Sequence, residues 1–166
     1  MENKFNKPKL TPELAHHNIK NWCAYQERSQ HETRQKLYEY GLYSDDVEQL
    51  IVKLIEENFL NEERFAFAFV SGKFNIKHWG RIKIKIELGK HKVSDYLVKK
   101  ALQSIDETNY IKTLTKLIEK RIKLTSEKNK QKLTYKLMQY VLSRGFESDI
   151  SSELINNYLT YSYKNK

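Results

Sequence analysis

The chain has 166 residues, with 30 Lys and Arg against 21 Asp and Glu and a formal charge of +9, which is one domain's worth of chain or a few small repeats. With 39% hydrophobic and 12% aromatic residues it can bury a core, while its longest unbroken apolar run, Phe65 to Val70, is far short of the roughly 20 residues of a membrane helix. The single cysteine, Cys23, excludes an internal disulfide and a multi-thiolate metal site, and the charged first residues lack the apolar stretch of a secretory signal, so a cytoplasmic protein is expected.

Both prolines, Pro8 and Pro12, lie in the first twelve residues, and the rest is nearly free of helix breakers, which favours helix throughout. Thr11-Pro12-Glu13 supplies an N-cap, a proline at the first helical position and an acid in the first turn. The helix it opens keeps Leu14, Ile19, Trp22 and Cys23 at helical spacing. Ser29-Gln30-His31-Glu32 is a capping box for a second helix, which Gly41 ends. Ser44-Asp45-Asp46 reads as the cap of a third, with Val47, Leu50, Ile51, Leu54 and Ile55 on one stripe.

That unit recurs. Thr33, Leu37, Leu42 and Val47 are answered by Ile84, Leu88, Val93 and Leu97, and again by Leu137, Val141, Phe146 and Ile150. Gly41-Leu42 corresponds to Gly145-Phe146. The connecting pieces Asn61-Glu62-Glu63-Arg64-Phe65 and Asp106-Glu107-Thr108-Asn109-Tyr110 each offer an N-cap, an acidic first turn and an aromatic four residues on. The expected fold is all-α, three tandem three-helix repeats over residues 11–60, 61–105 and 106–162, with a flexible arm at 1–10 and a tail at 163–166. One such unit buries little apolar surface alone, so neighbours must stack. Against this, Arg81 to Leu88 alternates strictly between polar and apolar residues, the period of a half-exposed strand. The repeat register and the lack of a partner strand favour helix, which leaves Ile82 and Ile86 on another face, exposed or against a neighbour.

No catalytic or metal-binding constellation is legible. Cys23 lies on an apolar stripe and reads as a small buried hydrophobe. His16 and His17 are adjacent and point apart on a helix, and the chain has no zinc-type histidine spacing, no P-loop and no glycine-rich dinucleotide motif. Glu56, Glu57, Glu62 and Glu63 fall where one helix ends and the next begins, so capping explains them. Neither an enzyme nor a cofactor is expected.

Binding remains. Residues 31–65 hold nine acidic and four basic side chains, whereas residues 66–136 hold eighteen basic and six acidic. Such polarity fits a polyanionic or acidic partner for the basic part; solvated lysine-rich helix faces would give it equally. Between Gly72 and Arg81, Lys73, Lys77 and Arg81 interleave with Phe74 and Trp79 in what reads as a loop, followed by Lys83, Lys85, Lys90 and Lys92. Cations beside rings suit single-stranded nucleic acid, although Phe74 and Trp79 read equally as core or staple residues, Trp79 the more so because it directly precedes a helix. A second basic group, Lys120, Arg121, Lys123, Lys128, Lys130 and Lys132, straddles a helix-helix turn.

In combination, Ser29-x2-Glu32-x4-Leu37-x3-Gly41, Leu54-Ile55-Glu56-Glu57-x-Phe59-Leu60-Asn61-Glu62-Glu63-Arg64-Phe65-Ala66 and Lys77-x-Trp79-Gly80-x2-Lys83-Ile84-x3-Leu88 resemble the RecX regulatory protein family over residues 29–102, and more weakly to about residue 158. Thr33 departs from the larger apolar residue usual at its position. The resemblance implies an elongated, curved helical solenoid without enzymatic activity. It also implies a protein that binds the RecA recombinase filament along its groove and modulates, usually inhibits, recombination and the coprotease activity of the SOS response, with single- or double-stranded DNA as a possible further contact. A monomer is expected. The alternative reading is a general single-stranded nucleic-acid-binding helical module.

Overall fold

The computed structural model describes residues 10–164, and side chains as far as residue 161. Nearly all of the expected arm, and part of the tail, lie outside the described residues. Among those described, every regular element is an α-helix: α1 Pro12–Tyr25, α2 Gln30–Glu39, α3 Ser44–Glu56, α4 Glu62–Asn75, α5 Arg81–Lys90, α6 Asp95–Leu102, α7 Glu107–Lys123, α8 Lys130–Ser143 and α9 Ser148–Lys164. The fold is a helical repeat. Residues 81–88 are helical despite their strand-like alternation, and Ile82 and Ile86 are left 46% and 58% exposed.

The repeat register is the core. Thr33, Leu37, Leu42 and Val47 are all buried, as are Ile84, Leu88 and Val93, and Leu137, Val141 and Phe146; Leu97 and Ile150 are half-buried. The recurring step of five residues has a local cause. After α2 and α8 the chain turns through a left-handed residue, Gly41 at φ 84° and Gly145 at φ 85°. The next amide then donates back five residues, Leu42 to the Leu37 carbonyl and Phe146 to the Val141 carbonyl. This is a Schellman ending, whose apolar contact joins those same two residues. After α5 the left-handed place falls to Lys92, at φ 57°.

Two compact units divide the chain, residues 1–69 with 88–98, and residues 70–87 with 99–166. In the first, the caps form as the sequence requires: the Leu14 amide donates to Thr11 Oγ1, and Ser29 and Glu32 close the capping box. Glu62 reaches across to accept the Gln30 amide at 3.0 Å, so this acid caps α2 rather than only favouring its own helix. Burial pushes its carboxyl above the usual carboxylate range. Two expectations shift. Tyr43, without a side-chain cap bond, is the N-cap of α3, because Ser44 already has helical backbone. On α1 the buried stripe is Ala15, Ile19 and Cys23, with Leu14 49% exposed, since only residues spaced by four stay on one face here. Ile55 likewise turns outward from the α3 stripe. Cys23 is buried, and burial raises its thiol pKa. Thr33 fits the core because its hydroxyl donates to the Ser29 carbonyl at 2.8 Å.

In the second unit Tyr110 is wholly buried, its ring stacked on Phe74 at 5.7 Å and tilted against Phe146 at 5.1 Å. Its hydroxyl donates to Glu147 and accepts the Arg81 amide at 3.1 Å; burial, then the Glu147 carboxylate, push its pKa well above the ordinary phenol value. The Gly80 amide donates to the Arg144 carbonyl at 2.8 Å and the Ile82 amide to the Gly145 carbonyl at 3.0 Å. Three consecutive amides at the start of α5, which no residue of its own caps, are thus satisfied from α7 and the α8–α9 turn. Returning the contact, the Arg144 guanidinium donates to the Lys77 and His78 carbonyls.

Gly80 is required for space: a Cβ there would overlap the backbone of Gly145 and Phe146. Gly80→Ala should therefore cost about 3 kcal/mol, since overpacking against backbone has little room to relax, read as a lower urea midpoint at unchanged slope. Lys92→Gly should do the reverse. Relief of the left-handed strain, about 1–2 kcal/mol, outweighs the 0.5–1 kcal/mol entropic penalty of glycine, so the midpoint should rise by the equivalent of about 0.5–1 kcal/mol.

Candidate functional site

The basic residues separate into those the fold employs and those it leaves on the surface. Between Gly72 and Arg81, the expected loop is shorter: residues 72–75 complete α4 and only 76–80 are irregular, because Gly72 sits where a helix tolerates it at about 1 kcal/mol. Phe74 is core. Trp79 is half-buried with the Lys73 ammonium 4.9 Å and the Lys83 ammonium 4.6 Å from its ring centre. Its π face is engaged by the protein's own cations, as a staple residue's would be. Arg81 lies 4.0 Å over the Tyr110 ring and pairs with Glu107 and Glu147. Its charge is consumed in holding α5, α7 and the α8–α9 turn together, and a charge reversal there would damage the fold. Lys77 and Lys85 are exposed, as are Lys90 and Lys92.

The second group also divides. Lys120, Arg121 and Lys123 occupy the last turn of α7, where cations meet the negative end of the helix dipole, and Arg121 lies over the Tyr140 ring at 5.1 Å. Lys130 and Lys132 stand in the first turn of α8, which has no acid. There a cation opposes the dipole by about 0.3–1 kcal/mol each. Lys128 precedes them in the exposed turn.

Sequence reasoning passed over a further set. Lys112, Lys116, Lys120 and Lys123 recur at steps of four, four and three on α7, a single exposed stripe. The spacing alone could have found it, once α7 was read as one helix. Beside this stripe lies a groove of about 360 Å³, lined by Asn75, His78, Asn109, Thr113, Lys116 and Lys120 over an apolar floor at Leu117. Asn75 and His78 come from the end of α4 and the loop after it, the others from α7. Among the described residues no cluster of His, Cys, Asp or Glu has the arrangement of a metal site, and no helix is long and apolar enough to cross a membrane. What the surface offers is hydrogen-bond donors and positive charge, the equipment of a binding protein.

Comparison with known proteins agrees with this organisation. Residues 61–102 match the family described as RecX, second three-helix domain, and residues 108–155 match RecX, third three-helix domain. A regulatory protein RecX of Clostridium perfringens is 31% identical over 82% of this chain and 64% of its own length, so the chain spans just under two thirds of that relative. One of Haemophilus influenzae is 27% identical over 86% of the chain and 93% of its own length. The crystal structure of RecX from Lactobacillus salivarius superposes with a TM-score of 0.80 at 25% identity, covering 88% of this chain and 95% of that one. With both three-helix domains matched in order and the same fold over 88% of the chain, the chain belongs to the RecX family of regulatory proteins.

Proposed function

We propose that this protein binds the filament of the RecA recombinase in its helical groove and restrains the filament's strand-exchange, ATPase and coprotease activities, regulating recombination and DNA repair. The observation that carries this reading is the match to proteins named regulatory protein RecX over more than four fifths of the chain. The surface supports it: eighteen basic residues between positions 66 and 136, several of them exposed on α5, α7 and α8, suit a partner that is itself negatively charged. The protein acts without a cofactor, as a monomer in the cytoplasm, by occupying the filament rather than by altering a bond.

Added to filaments preformed on single-stranded DNA, the protein should slow ATP turnover and strand exchange several-fold and reduce coprotease cleavage in proportion to its occupancy. Unchanged rates at saturating protein would rule the reading out. Lys77→Glu with Lys85→Glu, both exposed, should weaken the effect about tenfold in the concentration required, as loss of rim charges slows association, while the urea midpoint stays where it was.

A further inference from the structure

The groove between the end of α4 and α7 has a composition that the stability of the fold does not require. Its lining includes two lysines, two carboxamides, a hydroxyl and an imidazole, and no acid. Asn75 Nδ2 donates to Ser71 Oγ, but the side chains of His78, Asn109, Thr113, Lys116 and Lys120 take part in none of the internal hydrogen bonds or ion pairs among the described residues. Of the acids on this side, Asp106 caps α7 through the Asn109 amide and Glu107 pairs with Arg81, while Glu119, three residues after Lys116 and four before Lys123, is half-buried and outside the groove lining.

The lysine spacing on α7 costs that helix free energy. Like charges at i, i+4 along α7, Lys112 to Lys116 to Lys120, destabilise a helix by about 0.2–0.5 kcal/mol per pair. His78, at φ 52°, is the left-handed residue that ends α4: its amide donates to the Phe74 carbonyl at 3.0 Å and the Trp79 amide to the Lys73 carbonyl at 3.1 Å, so the conformation closes the helix. The Arg144 guanidinium fixes it there, with Nη2 2.7 Å from the Lys77 carbonyl and Nε 3.3 Å from that of His78. The helix ending and the Arg144 contacts together fix the backbone of His78 at the rim of the groove.

The geometry points to a site for the phosphodiester backbone of a single nucleic-acid strand, gripped by Lys116 and Lys120 with Asn109, Thr113 and His78 as further donors to phosphate oxygens. Three observations favour this occupant. The lining sets two lysines, which bind phosphate as point charges, beside amide and hydroxyl donors, with no acid to repel it. The lysine stripe continues past the groove at both ends, to Lys112 and Lys123, about 16 Å along the helix at 1.5 Å per residue, longer than a mononucleotide and fitting a strand of several phosphates. Donors of these types make most protein contacts to phosphate and sugar, which carry no sequence information, so binding is indifferent to base sequence.

The site is independent of the filament reading, and its test contains no recombinase. Binding of a fluorescein-labelled oligothymidylate to the full chain is followed by anisotropy over a salt series. Lys116→Gln with Lys120→Gln should weaken binding about tenfold and flatten the log-log salt slope by about 1.4, the share of two released phosphate contacts on a single strand. Lys53→Gln with Lys99→Gln, the same charge change on exposed positions elsewhere, should change affinity less than twofold, and Lys116→Arg with Lys120→Arg should retain it. All four lysines are exposed, so thermal midpoints should agree. Equal losses in the groove and control variants would overturn the site. So would displacement of the oligonucleotide by thymidine monophosphate or by polyglutamate at matched charge, which would assign the groove to a small phosphate ligand or an acidic peptide.

Discussion

Short helices are governed by their ends. The helices here run from 8 residues in α6 to 17 in α7 and α9, and each leaves up to four amides and four carbonyls without a partner inside the helix. Since an unmet buried group costs about 1–3 kcal/mol, the architecture is arranged around meeting them. Left-handed turns after α2 and α8 close the carbonyl ends and drop Leu42 and Phe146 into the core. At the amide ends, Thr11, Ser29, Asn61, Asp106 and Asn129 each accept an amide within their own chain segment.

Where a local cap is missing, tertiary structure replaces it, and these replacements are the most position-specific contacts in the molecule. Glu62 caps α2. The α8–α9 turn and the Tyr110 hydroxyl together cap α5, which explains why a segment alternating like a strand is a helix: its first amides are held in helical arrangement by partners that a strand could not use. The same clamp accounts for the Trp79-Gly80 pair. Gly80 lets two backbones meet, and Trp79 shields the junction with two lysines folded over it.

The fate of the basic residues follows from this. Arg81 and Arg144 are spent on the clamp, and Lys73 and Lys83 on Trp79, so part of the cluster that looked most suited to a polyanion is structural, while Lys77, Lys85, Lys90 and Lys92 stay exposed. Donors that the fold does not employ also line the groove beside α7, on Asn109, Thr113, Lys116 and Lys120.

The sequence by itself determined the helices, most of their caps, the repeat register and the resemblance to a regulatory family, because these depend on interactions between residues a few positions apart. The five-residue step from Leu37 to Leu42 is legible for that reason: it is one hydrogen bond and one apolar contact of a local motif. Only the tertiary structure decided that residues 88–98 join the first compact unit while 70–87 join the second, that Arg81 is buried in use rather than presented, and that Asn75 and His78 share a groove with Lys116 and Lys120. Those outcomes rest on contacts between residues 26 to 67 positions apart, such as Arg81 with Glu107 and Arg144 with Lys77, and no local pattern encodes which distant backbone will fill a missing cap.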